Sequence, residues 1–388
     1  MTGITVPLPK RALRYQTVST HVDDDQHKFD DGGINENNVT MIVIPNLRGS
    51  NKALAFDPFV DHGLSNDMLL HSVIPYVHSA KEGVEYLGNL IHLYGSNGRS
   101  AVAFSDNQDV WYMEILTGHH WIAQRIPDNS CAIITNQLSQ EHIDFSDSLN
   151  VLTSDNIERF VIRHHLNTNP TTWNVRDIFG NKQQEAHRGA QLTYAFLMSD
   201  ESLVHSDYLP FLFQTTSRLR LIDVICSLRP HYMFYSSLFK EEDTPDTITA
   251  ISQDVASYIF NIRSQLNEGV SSIFWTNIGF SPLDPYIPQY TNVTKIPKYR
   301  FPDSIQESLS KLKEIILKLP LAQRQKLINE FLDANRQYVQ QFIYSTDTAI
   351  SLLNSEELIN FLEKQNKLIL NHIIQKSIEN VYSITQQY

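Results

Sequence analysis

Gly98-Arg-Ser-Ala-Val-Ala-Phe-Ser-Asp-Asn-Gln-Asp-Val-Trp-Tyr-Met-Glu-Ile-Leu-Thr-Gly-His-His-Trp-Ile-Ala-Gln-Arg-Ile-Pro-Asp-Asn-Ser-Cys-Ala-Ile-Ile-Thr-Asn-Gln137 is the most legible stretch of these 388 residues. Ser100–Phe104, Val110–Ile115, Trp121–Arg125 and Ala132–Thr135 are short runs rich in β-branched and aromatic side chains. Asp106–Asp109, Thr117-Gly118 and Pro127–Asn129 separate them with residues that favour turns. Four strands spaced this closely predict an antiparallel meander.

The same grammar extends outward. Leu13–Val18 and Val39–Ile44 predict two earlier strands, and Asn267-Glu-Gly269 predicts a hairpin between Tyr258–Ile262 and Val270–Trp275. Helices are expected at Asp67–Ile74, at Ala80–Tyr94 with Gly95 as its stop, at Ile157–His165 and at Leu219–Leu228. From Pro302 the pattern changes. A capping box, Ser304-Ile-Gln-Glu307, opens a helix whose apolar residues Ile305, Leu309, Leu312, Ile316 and Leu319 recur every three or four positions. Amphipathic helices at Ala322–Tyr344 and Glu356–Ser383 follow. Strands joined by hairpins and mixed with helices give an α+β layered fold with a helical tail. The expected organisation is a core over residues 1–300 and a helical C-terminal region over 301–388.

Composition narrows the function classes. Net charge is −12, from 31 basic and 43 acidic residues. Residues 301–388 hold 9 basic and 10 acidic side chains, so the acidity sits almost wholly in residues 1–300, which hold 22 and 33. Such a surface is a poor partner for nucleic acid or for anionic membranes. No run of about 18 apolar residues predicts a membrane span. Two cysteines, Cys131 and Cys226, and the lack of a basic-then-apolar leader favour a reducing, cytoplasmic location. Small molecules, another protein or a second copy of the chain remain as partners.

Glycine phosphate loops, HExxH, CxxC and GxSxG are all missing from the sequence. The doublets His119-His120 and His164-His165 invite a metal reading. Neighbouring residues point to opposite strand faces, or lie about 100° apart on a helix, so a doublet rarely presents both rings to one ion. No metal or cofactor is expected. Cys226 occupies an apolar helix position, as a small core residue does. Cys131 begins a strand after a turn, with no signature of a reactive thiol beside it. Asn136-Gln137 closes an apolar strand. Asn136 is either a turn-former or a side-chain amide placed to donate to a developing oxyanion. Gly33–Val39 reads from composition as a tight turn.

Together these segments resemble the cysteine dipeptidases of the N-terminal-nucleophile (Ntn) hydrolase superfamily, the relatives of dipeptidase A. Gly33-Ile-Asn-Glu-Asn-Asn-Val39 and Val73–Val84 carry part of the likeness. Its most specific stretch runs from Val102–Asp106 through Val110-Trp-Tyr-Met-Glu114 and Thr117-Gly-His-His-Trp121 to Arg125-Ile-Pro-Asp128 and Thr135-Asn-Gln137. Weaker similarity continues through Arg229-Pro-His-Tyr232 and Trp275 to Pro288-Gln-Tyr290. The resemblance implies an αββα sandwich and metal-free hydrolysis of dipeptides with broad specificity. It also implies an N-terminal cysteine nucleophile whose own α-amine is the general base. It places Asn136 at an oxyanion donor and Arg188 at an arginine that precedes a later helix.

The chain departs from that pattern at its front. Leu8-Pro-Lys-Arg-Ala-Leu-Arg-Tyr15 already resembles a point downstream of the nucleophile strand, and Met41-Ile-Val-Ile-Pro-Asn46 replaces a run of small and hydroxyl residues. The expectation is therefore an N-terminally truncated Ntn-hydrolase-like sandwich without its nucleophile. One reading is a silent copy, another a start placed too far downstream, and a third gives the role to Thr2. A non-catalytic binding or assembly subunit, and an amide-bond acylase of the same superfamily, are the alternative functions.

Overall fold

The computed structural model describes residues 6–18, 30–169, 172–181, 188–228, 257–277, 286–297, 319–350 and 353–387. The chain divides into two compact units, with the break between Val224 and Ile225. Its mixture of antiparallel sheets and helices is the α+β class read from the sequence.

In the first unit, β1 (Tyr15–Val18), β2 (Gly32–Asn35), β3 (Thr40–Ile44), β4 (Ser100–Ser105), β5 (Val110–Ile115), β6 (Trp121–Arg125) and β8 (Val151–Thr153) form one sheet in that order. Every pairing in it is antiparallel. The register opposes Phe104 to Trp111 and Ile115 to Trp121.

Alternation decides which side chain meets which layer. Val102 and Phe104, Trp111, Met113 and Ile115, and Trp121 and Ala123 face a core shared with α1 (Asn66–Val73) and α2 (Ala80–Tyr94). Ala101, Tyr112 and Ile122 face a second core, built with Val151, α3 (Ile157–Arg163), α4 (Val175–Phe179) and Phe211. β5 is buried on both faces along nearly its whole length.

Of the two helices expected on the first face, α2 is capped at both ends. The Ser79 hydroxyl accepts from Glu82 N at 3.2 Å, and the Glu82 carboxylate accepts from His78 N at 2.6 Å. Gly95 closes α2 at φ 69°, where an L side chain would be strained.

Three readings change on contact with the structure. Gly33–Val39 is a strand followed by a turn, fixed by the buried Asn35 side chain. Its Nδ2 donates to Ile74 O (2.9 Å) and Val77 O (2.8 Å), and its Oδ1 accepts from Asn37 N and Val39 N. The meander's fourth strand is β8, whereas Ala132–Thr135 contributes only its first residue to β7 (Cys131–Ala132). That strand pairs with β9 (Leu212–Phe213) away from the large sheet. The apolar run leaves the sheet because Ile133 and Ile134 pack into different clusters. The helix read at Ile157–His165 stops at Arg163, and His165 takes φ 51°. α5 (Arg188–Met198) and α6 (Leu221–Ser227) complete the helices described before residue 229.

In the second unit, β10 (Ser257–Ile262), β11 (Ser272–Asn277) and β12 (Ile287–Tyr290) form an antiparallel sheet. The expected hairpin is present, with a single helical turn, Glu268–Ser271, at its tip. Two long helices, α7 (Leu321–Ile350) and α8 (Ser355–Gln387), bracket the expected ranges. The buried Asn366 on α8 holds the β12 backbone, accepting from Tyr290 N (2.8 Å) and donating to Tyr290 O (3.0 Å). The helix expected from Ser304 and the motif Arg229–Tyr232 lie outside the described residues.

Candidate functional site

Beyond β7 the chain bends at Asn136, where Gln137 N donates to Thr135 O at 2.7 Å, so this residue is the turn-former that one reading of the sequence made it. The continuation of β3 supports it there. Arg48 N donates to Asn136 O at 2.9 Å, and Arg48 pairs with Gln137 as an isolated parallel bridge. Asn136 is exposed, and its side-chain amide has no partner among the described residues. Its neighbours Thr135 and Gln137 line a cleft of about 240 Å³. Ala190 and Tyr194 of α5 line the same cleft, with Ser139, Arg176 and Tyr208. The segment of Asn136 and the first turn of α5 thus share one cavity. Arg188 opens that helix, but its side chain lies outside the described residues.

Beneath the segment sits a charge network that the sequence reading missed. Glu114, fully buried on the same face as Tyr112, accepts at Oε1 from Ser139 N (2.6 Å), Tyr112 Oη (3.1 Å) and Gln140 N (3.3 Å). Burial raises its carboxyl to about 7, despite those donors and the nearby Arg176. Burial and the adjacent Glu114 carry the Tyr112 hydroxyl well above its ordinary value.

Arg176 of α4 grips the far side. Its guanidinium donates to Leu209 O (3.0 Å) and Ser139 O (3.2 Å), and its Nη1 lies 3.5 Å from Glu141 Oε1. The guanidinium lies over the Tyr208 ring, 5.0 Å from its centre, while the Tyr208 hydroxyl donates to Glu141. Burial, with Glu141 beside it, pushes the Tyr208 hydroxyl up to about 12. One signal for this network was present in the sequence: a lone carboxylate amid the apolar Val110-Trp-Tyr-Met-Glu-Ile115 needs buried partners.

Neither cysteine has the environment of a nucleophile. Cys131 is partly buried, and burial pushes its thiol up, which lowers the thiolate fraction. Cys226 is buried and unoxidised. Thr2 lies outside the described residues.

The His119-His120 doublet divides between two partners. His119 Nδ1 lies 2.9 Å from Asp57 Oδ1, and Asp57 Oδ2 also accepts from Thr117 Oγ1 (2.6 Å) and His119 N (2.7 Å). Burial opposes ionisation of Asp57, yet these donors hold its carboxyl below the usual value. His120 Nδ1 instead lies 3.0 Å from Ser154 Oγ. Among the described residues, no three His, Cys, Asp or Glu side chains are grouped for a metal ion. No described helix is long and apolar enough to cross a membrane.

Comparison with known proteins places this arrangement among peptidases. The model of peptidase family C69 matches residues 1–312. A probable dipeptidase of Latilactobacillus sakei is 31% identical over 386 residues, covering 95% of this chain and 81% of the relative. Dipeptidase A of Lactobacillus helveticus is 28% identical over 305 residues, covering 75% of this chain and 64% of the relative. Probable dipeptidase B of Lactococcus lactis subsp. lactis (strain IL1403) is 26% identical, covering 76% and 65%. The aligned stretch is thus less than two thirds of the length of the last two relatives.

Proposed function

The chain belongs to peptidase family C69, and from that premise we propose that it is a peptide-bond hydrolase built to act on dipeptides. The observation that carries this reading is the placement of Asn136. Its amide stands exposed and unpartnered among the described residues, beside a cleft of about 240 Å³. Its backbone is held by Arg48, and the chain three and four residues on by Glu114. Attack on a peptide carbonyl converts its oxygen to an alkoxide, and a fixed N–H donor at that point lowers the barrier by about 3 kcal/mol. Asn136 is assigned that role. Arg188, two residues before the cleft-lining Ala190, is assigned the arginine's place by resemblance.

The nucleophile implied by the resemblance is an N-terminal cysteine, and the environments of Cys131 and Cys226 suit neither to replace it. We therefore propose that these 388 residues alone are catalytically impaired. The same observation favours a second reading, a non-catalytic subunit that binds dipeptides without cleaving them.

A panel of unmodified dipeptides, followed by release of free amino acids, tests both readings. No turnover is expected from the 388-residue chain or from its Cys131→Ala and Thr2→Ala variants. Turnover lost in either variant would refute the impairment and identify the nucleophile. Calorimetric binding of a dipeptide without cleavage is the outcome expected of the second reading.

A further inference from the structure

Ser139 is held from two sides by opposite charges. Its N–H donates to the Glu114 carboxyl at 2.6 Å, and its C=O accepts from Arg176 at 3.2 Å. Gln140 is held as firmly. Its N–H reaches the same carboxyl oxygen, and its Nε2 donates to Ile122 O on the neighbouring strand at 3.0 Å. Glu114 lies near the end of β5, a strand buried on both faces, so its position is set by the core of the first unit. Its Oε2 is also buried and has no hydrogen-bond partner among the described residues. A carboxyl with one saturated oxygen and one orphaned oxygen is costly in a core. On its own strand Glu114 accepts from the Tyr112 hydroxyl, and from the segment after Asn136 it accepts two backbone N–H groups.

We propose that Glu114 is a positioning residue for the site: through the Ser139 and Gln140 N–H groups it sets where Asn136 and the adjoining cleft wall stand. The inference rests on the assignment of Asn136 as oxyanion donor. Because burial holds the carboxyl up to about 7, the clamp changes strength across neutral pH. Below that value a neutral acid accepts the two N–H bonds, and above it a carboxylate accepts them more strongly. The charged and titratable groups facing Glu114 are Tyr112 on its own strand, Arg176 from α4 with Glu141 behind it, and Arg99 at the head of β4.

Amide hydrogen exchange of the full chain, resolved at Ser139 and Gln140 from pH 5 to pH 8, tests this without requiring turnover. After correction for intrinsic exchange, protection of both amides should rise through neutrality in the parent. Glu114→Gln should abolish that rise and leave both amides about tenfold less protected at pH 8, with β4–β6 unchanged. Glu114→Asp, which keeps the charge on a shorter stem, should retain the pH dependence in part. Equal profiles for parent and Glu114→Gln would overturn the proposal. So would a loss of protection spread over β4–β6 in both variants, since Glu114 would then serve the fold alone. If exchange behaves as expected while Asn136→Ala leaves hydrolysis by a competent form unaffected, the positioning stands and the role given to Asn136 fails.

Discussion

Replacing Gly88 by alanine sets two effects of opposite sign against each other. In an exposed helix the change would stabilise by about 1 kcal/mol, because glycine is the poorer helix former. Here a Cβ at position 88 would lie 2.2 Å from Trp121 Cζ2, 2.8 Å from Cε2 and 3.0 Å from Cη2. Carbon atoms rest about 3.5–4.0 Å apart, so the closest contact is more than an ångström too short. The indole is rigid and buried, and cannot swing away. Nor can α2 lift off the sheet without parting Val84, Leu87 and Ile91 from the same core. Gly83, five residues earlier, is also tight, since a Cβ there would lie 2.6 Å from Phe104 Cδ1. Overpacking of this kind costs about 1–3 kcal/mol, and a rigid overlap belongs at the upper end. The net effect is a loss of about 2 kcal/mol, or about 4–8 °C in Tm for a unit of this size. A thermal melt followed by tryptophan fluorescence measures it. Gly98→Ala, where a Cβ would meet nothing within 4 Å, is the control. A Tm for Gly88→Ala above that of the parent would refute the argument, since helix propensity would then have outweighed the contact.

Two further outcomes follow from buried charge. Glu114 keeps its proton up to about 7 in the folded chain but releases it near 4.5 when unfolded, so its contribution is complete below about 4.5 and lost as pH rises through 7. The stability of the parent relative to Glu114→Gln should therefore fall by about 3 kcal/mol between pH 4.5 and pH 8 in urea titrations. A difference that stays flat with pH would sink this. In the second unit, Asp347 accepts from Arg263 at 2.6 Å and from the Tyr290 hydroxyl at 2.7 Å, with both charged side chains mostly buried. Asp347→Ala strands both donors and should cost about 2–4 kcal/mol. A loss below about 0.5 kcal/mol, the behaviour of a surface pair, would contradict that.

Much of the fold could be read because its elements are written in local patterns. The helix at Ala80–Tyr94 is fixed by Ser79, Glu82 and Gly95, all within a turn of its ends. β5 and β6 begin and end at the expected residues because turn chemistry flanks them. What escaped the sequence depends on distant partners. β2 is a strand because Asn35 ties its turn to Ile74 and Val77, some forty residues away. β8, only three residues long, exists through its pairing with β6. The run Ile133-Ile134 looks like a strand by composition, yet its two side chains serve two cores.

The site was legible where chemistry shows in residue type and hidden where it depends on what lies beneath. Asn136 could be singled out because an amide at the end of an apolar strand is conspicuous. The groups that hold its segment could not, since Glu114 is 22 positions earlier and Arg176 is 40 later. Composition marks Arg176 as an ordinary surface arginine. Only the structure puts its guanidinium between Ser139 O, Leu209 O and Glu141. The asymmetry has a physical origin. A group that touches substrate must be exposed and of a particular type, whereas a group that positions it needs only to be buried with the right partners. Those partners are set by the strand register, here the alternation that turns Tyr112 and Glu114 together toward the second core.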